Sequence, residues 1–150
     1  MFISLIYVSR RTIKRVAPKA EVDATIARWT KRNARLRIRG ALLITSGHVA
    51  QILEGPEESV DHLMERMRRD PRHEDVTVIE RKPIDGYRFP DWCFAYWGTA
   101  SYMDRKIAAV MAKHEALSEA GETAELFDLM RLLARESHDG HGPIGQPPGS

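Results

Sequence analysis

Hydrophobic positions along the chain alternate between a period of two and a period near 3.6, and these changes of period divide it into strands and helices. Residues 2–9 are rich in β-branched and aromatic side chains, with Ile3, Leu5 and Tyr7 on one face and Phe2, Ile6 and Val8 on the other, so they predict a strand covered on both sides. Val22, Ile26 and Trp29 then recur at helical spacing, and continuing that spacing brings Asn33 onto the same apolar face. Ala41 to Ile44 is a short apolar run suited to a central strand, Ser46-Gly47 predicts a turn, and His48 to Leu53 returns as a hairpin partner that Gly55 stops. Pro56, preset for a first helical position, is followed by Glu57 and Glu58, which oppose the positive end of a helix dipole. Val60, Leu63, Met64 and Met67 supply the buried stripe of that helix, which ends before Asp70-Pro71. Val76 to Arg81 predicts a fourth strand, Asp85-Gly86 a turn, and Trp92 to Trp97 a fifth strand.

The order βαββαββ contains the ferredoxin-like βαββαβ unit, an α+β sandwich in which two helices lie on one face of a mostly antiparallel sheet. Two more helical stripes follow, Met103, Ile107, Val110 and Met111, then Leu126, Met130 and Leu133, separated by Gly121. They predict two C-terminal helices that cover the second face, where Ile6 and Val8 need a lid. The organisation expected is one domain over residues 1–100, a helical extension over 101–137 and a disordered tail over 138–150, which holds four of the ten glycines and three of the eight prolines.

At 150 residues, 43% hydrophobic and 29% charged, the chain is long enough for one such domain and apolar enough to bury a core. No window approaches a membrane span, and the apolar start is too short, and lacks the basic lead-in, for a signal peptide, so the cytoplasm is expected. A single cysteine, Cys93, leaves no internal disulfide or thiolate metal cluster to form. Charge is uneven: residues 10–39 carry eleven Lys or Arg against Glu21 and Asp23. A glycine-rich phosphate loop, a Ser-His-Asp grouping and an HExxH motif are all absent, and His138 and His141 lie on the tail, so neither hydrolytic chemistry nor a metal is implied.

Tyr7, Asn33 and Gln51 stand out as neutral hydrogen-bonding groups on faces that should be buried. An unmatched buried polar group costs about 1–3 kcal/mol. Three of them imply either mutual satisfaction, with Tyr7 and Gln51 bonded across neighbouring strands, or a polar ligand between them. A hydroxyl and two carboxamides match the edge of a planar heterocycle with alternating C=O and N–H groups.

Five segments in order, Leu5-Ile6-Tyr7-Val8-Ser9, Asn33 with Gly40-Ala41-Leu42-Leu43, Gln51-Ile52-Leu53-Glu54-Gly55-Pro56, Asp70-Pro71-Arg72-His73 and Phe89-Pro90-Asp91-Trp92, resemble a BLUF domain, the FAD-binding blue-light sensor, over about residues 2–98. The resemblance implies a flavin held between the two helices against the sheet. It implies that Tyr7 is the photoactive tyrosine, Gln51 the glutamine between it and the flavin, and Asn33 the amide at the ring edge. Arg72 and His73 would lie at the flavin's edge and side chain, Arg32 at another flavin-side position, and Trp92 near the ring in some conformations. It further implies photochemistry rather than catalysis: Tyr7 passes an electron and a proton to the excited flavin, Gln51 changes rotamer or tautomer, and no covalent bond forms. The signal would leave by the fifth strand toward the helices after residue 100, and reach a separate protein or a second copy in a homodimer. Phe94 replaces the family's common methionine, which bears on signal transmission, and Arg39 replaces its threonine; Arg39 must point to solvent or reach an anion such as the flavin diphosphate. The connection from Tyr7 to Asn33 is slightly long for the family. The alternative class is a flavin-free ferredoxin-like nucleic-acid-binding or adaptor module using Arg10, Arg11, Lys14, Arg15 and Lys31, which lacks the aromatic pair such modules expose. Acylphosphatase-like hydrolysis ranks last, because Ser9-Arg10-Arg11-Thr12 contains no glycine.

Overall fold

The computed structural model describes residues 1–12, 19–97, 101–115, 127–128 and 130–132. Its elements run β1 (Phe2–Arg11), α1 (Lys19–Arg35), β2 (Arg39–Ile44), β3 (His48–Pro56), α2 (Glu57–Arg69), β4 (His73–Pro83), β5 (Trp92–Trp97) and α3 (Ser101–Glu115). The sheet order is β4-β1-β3-β2-β5. The first four of these strands are antiparallel to their neighbours, and β5 joins the edge parallel to β2. Each helix therefore carries the chain past one intervening strand, α1 across β3 and α2 across β1, which is the ferredoxin-like arrangement.

The alternation read from the sequence divides the core into two layers. Ile3, Leu5, Tyr7, Leu42, Leu53, Leu63 and Trp92 bury on the face beneath α1 and α2. Ile6, Val8, Leu43, Ile52 and Phe89 bury on the opposite face, where Ile107 of α3 and Met130 pack against them. Of the remaining members of the two predicted C-terminal stripes, Val110 and Met111 fall within α3, as their spacing predicted, though their side chains are not described; Leu126, Leu133 and the 138–150 tail lie outside the described residues.

Strand ends differ from the pattern in a way that matters for the site. β1 runs two residues past Ser9 and β4 begins at His73 rather than Val76, so Arg11 pairs with His73 at the end of the ladder. Gly55 does not stop β3. It pairs with Ile3, and its bare backbone faces the Arg37 carbonyl, which a Cβ would meet at 2.7 Å. Pro56 is the last strand residue and the N-cap of α2, with φ −57° and ψ 135°. Gly40 has φ 139°, and a Cβ there would lie 1.9 Å from the Ile52 carbonyl oxygen, so only glycine lets β2 lie against β3.

Candidate functional site

Tyr7 and Gln51 are direct cross-strand partners in the β1–β3 register, and both point to the face under α1 and α2. The Tyr7 hydroxyl donates to Gln51 Oε1 at 2.7 Å. One alternative left open by the sequence is thus realised. Gln51 is nevertheless not used up: its amide nitrogen has no acceptor among the described residues, and its side chain lines a cavity of ≈ 310 Å³ between the helices and the sheet. Tyr7 is 1% exposed, and burial, with a smaller contribution from Asp70, holds its phenol protonated far above the ordinary range. It is therefore a neutral donor at any physiological pH.

Asn33 lies in the last turns of α1, fully buried as its helical spacing predicted. Its backbone is pinned by the helix end: Ile38 N–H donates to the Asn33 carbonyl at 2.9 Å and Arg37 N–H to Ala34 at 3.1 Å, a double closure in which Arg37 takes the left-handed conformation, φ 60°. Asn33 Oδ1 accepts a 3.3 Å bond from Arg32 Nε, and Asn33 Nδ2 has no partner. Trp92 lines the cavity, is 4% exposed, and carries a second buried donor without a partner, Nε1. Such groups are rare in folded proteins, and two beside one cavity point to a ligand with acceptors on its rim.

The remaining walls come from both helices and the loop after α2. Trp29 supplies an aromatic wall, with the Arg72 guanidinium 5.5 Å from its ring centre. Arg72 also grips Asp70 through Nε and a terminal nitrogen at 2.6–3.1 Å, and this bonding holds the Asp70 carboxyl below its usual range. His73 bridges two elements: Nε2 lies 2.6 Å from the Met67 carbonyl and Nδ1 lies 2.8 Å from Ser9 Oγ. A carbonyl only accepts, so Nε2 carries a proton. The ring stands edge-on to Tyr7 with centroids 6.2 Å apart.

Arg32 lines the same cavity, and burial together with nearby Arg66, Arg72 and Arg28 lowers its pKa. Arg72 is paired with Asp70, and Arg32 feels the positive charge of Arg66, Arg72 and Arg28.

Every cofactor residue expected from the sequence except Asn33 lines the cavity, and Asn33 adjoins it through Arg32. Arg39 lies apart, its guanidinium stacked 3.8 Å from the Tyr87 ring centre rather than reaching toward the cavity. The Phe94 side chain, the connection 13–18, and with it Lys14 and Arg15, are outside the described residues. Arg10 pairs with Asp75, and Arg11, counted at first among surface cations, turns into the cavity wall and donates to the Thr45 carbonyl at 2.9 Å. Sequence reasoning missed Arg11, Trp29 and Asp70 as wall residues. Asp70 was visible in the run before His73, and Trp29 on the apolar stripe, whereas nothing local reveals that β1 extends far enough to aim Arg11 inward. Among the described residues no helix is long and apolar enough to cross a membrane, and no cluster of His, Cys, Asp or Glu is arranged to hold a metal.

Comparison with known proteins gives a match over residues 2–95 to the family model described as BLUF, sensors of blue light using FAD. The photoactivated adenylate cyclase subunit beta of Euglena longa is 32% identical over 120 residues, 80% of this chain and 13% of the subunit. The blue light- and temperature-regulated antirepressor BluF of Escherichia coli K12 is 33% identical over 79 residues, 53% of this chain and 19% of that protein. Among solved structures, BlrB, a BLUF protein in its dark state, superposes with a TM-score of 0.63 at 30% identity, covering 87% of this chain and 96% of the other. The chain spans only 13% and 19% of the length of these two sequence relatives.

Proposed function

The chain belongs to the BLUF family of blue-light sensors, and from that premise we propose that it binds FAD non-covalently in the cavity under α1 and α2 and signals by turning the Gln51 amide. The observation that carries the proposal is the buried Asn33 Nδ2, without an acceptor, next to Arg32 of a cavity that the bonded Tyr7–Gln51 pair also lines. A ring with carbonyls on its rim would offer acceptors for that donor, the Gln51 nitrogen and Trp92 Nε1. The cavity volume, ≈ 310 Å³, falls within the range of about 300–1,000 Å³ usual for small-molecule sites. Arg32, with Arg28 and Arg66 nearby, supplies positive charge for the diphosphate, which favours FAD over a flavin without phosphates.

When bound, the flavin supplies absorption of blue light and a strong acceptor for one electron. The protein supplies the rest. Tyr7, held neutral by burial, would be the electron donor to the bound flavin, and its hydroxyl proton would pass along the 2.7 Å bond to Gln51 Oε1 while the Gln51 nitrogen gives one up on the cavity side. An amide that gains a proton on oxygen and loses one from nitrogen is the imidic tautomer, and its turning or retention once Tyr7 has regained its electron and proton would leave the donor and acceptor ends of Gln51 exchanged relative to the starting state. His73 and Arg72 keep the edge of the site rigid, since both are tied to the end of α2 or the loop after it. The domain acts as a sensor rather than as a catalyst and passes its signal to a downstream partner.

Replacing Tyr7 by Phe tests the assignment. Tyr7→Phe keeps the ring that packs the core and removes the donor, so purified variant should be yellow and show no light-induced red shift. A full shift in that variant contradicts the role given to Tyr7.

A further inference from the structure

On the opposite side of the hairpin from the cavity, Asp104 in the first turn of α3 is the hub of a polar cluster that the photochemistry does not use. Its Oδ1 accepts from Thr45 Oγ1 at 2.5 Å, from Gly47 N–H at 2.9 Å and from His48 Nδ1 at 2.9 Å. Thr45 and Gly47 lie in the connection between β2 and β3 and His48 is the first residue of β3; Thr45 N–H closes the turn on the His48 carbonyl at 2.9 Å. The Thr45 hydroxyl has one proton, which goes to the carboxylate, and it accepts in return from His48 N–H at 3.1 Å. A Cβ at Gly47 would stand 3.2 Å from Asp104 Oδ1, so the turn is shaped to the carboxylate. Burial alone would raise the Asp104 pKa, and the bonds from Thr45, His48 and Gly47 outweigh it and hold the group ionised.

The same turn grips the cavity wall. Arg11 N–H donates to the Gly47 carbonyl at 2.8 Å, and its guanidinium donates to the Thr45 carbonyl at 2.9 Å while lining the cavity. Thr45 thus holds α3 with its hydroxyl and Arg11 with its carbonyl. We propose that Asp104 is a positioning residue for the cofactor cavity: through Thr45 it fixes the Arg11 guanidinium in the wall, so that filling the cavity and docking the first turn of α3 on the β2–β3 turn are coupled. The identity of the ligand rests on the reading above; the contact chain does not. It gives α3 a connection to the cavity distinct from β5. The element with two arrangements is the first turn of α3, docked on the hairpin turn or released from it, and by linkage whatever biases one end biases the other.

The full chain is compared with Asp104→Ala, Arg11→Gln and the double variant, by FAD titration and by amide hydrogen exchange. Asp104→Ala should raise the FAD dissociation constant about five- to tenfold, and Asp104→Asn, which keeps an acceptor oxygen, should lie between it and the parent. Because both residues act through one turn, the double variant should bind no worse than the weaker single. Effects that multiply in the double variant overturn the proposal, since a merely structural loss at each site would do that. The exchange arm needs no flavin: Arg11→Gln should speed exchange of the Gly47 and Ile107 amides several-fold, and unchanged rates at Ile107 overturn the coupling. Failure of the parent chain to bind FAD would count against the sensor reading, and the exchange arm would still decide this one.

Discussion

Gln51 stands where two demands meet, accepting from a buried phenol and presenting its nitrogen to the cavity. Replacing it by Leu keeps the volume and removes both functions. The Tyr7 hydroxyl is then left buried without a partner, which costs about 1–3 kcal/mol of stability. Gln51→Leu should still bind flavin through Asn33, Trp92 and the arginines, and should show no shift on illumination; an absorption spectrum before and after blue light checks it. Arg32 carries a different share of the site. Its charge is close to Arg28, Arg66 and Arg72, so a bound anion would be drawn to it. Arg32→Ala should weaken FAD by about tenfold, the ~1.4 kcal/mol of one lost charge-assisted contact, and riboflavin much less. Equal losses for the two ligands, measured by fluorescence titration, would remove the phosphates from that corner.

Among the elements, the β2–β3 pair constrains the site most tightly, because Tyr7 opposes Gln51 only while β3 keeps its register between β1 and β2. Gly40 is the weak point of that register. Any side chain there collides with the Ile52 backbone and requires a conformation that L residues rarely take. Gly40→Ala should cost at least ~3 kcal/mol in denaturant unfolding and abolish flavin binding with it; a loss under ~1 kcal/mol would mean that β2 moves aside freely. The elements also mark where sequence reading was strong. Val22, Ile26, Trp29 and Asn33 were found on one stripe because helical periodicity is local, and burial of the amide followed from it. The shift by one residue of the strand end, from Gly55 to Pro56, and of the helix start, from Pro56 to Glu57, was not visible, because Gly55 is required by the Arg37 carbonyl, eighteen positions away in the chain and adjacent only after folding.

At the scale of the whole molecule, the ferredoxin-like order was legible from the alternation of periods, and the parallel addition of β5 to β2 was not, since pairing partners leave no trace in a single strand's pattern. The candidate site divides along the same line. Tyr7, Asn33 and Gln51 announced themselves as polar groups on apolar faces, and Arg32, Arg72, His73 and Trp92 came from the family resemblance. Arg11 and Asp104 were hidden, because each gains its meaning from a contact across 34 or more positions. Folding brings these together so that one face of the sheet holds the cavity and the other receives α3 and Met130, with the β2–β3 turn touching both sides.

The central claim is that the cavity holds a flavin whose excitation rearranges the bonds of Gln51. The most direct measurement is the visible absorption spectrum of the purified chain, supplied with FAD, in the dark, under blue light, and after return to the dark. A flavin spectrum that moves to longer wavelength on illumination and relaxes fully, without bleaching, is the expected result. A colourless protein, or a bound flavin whose bands stay in place under light, would contradict it.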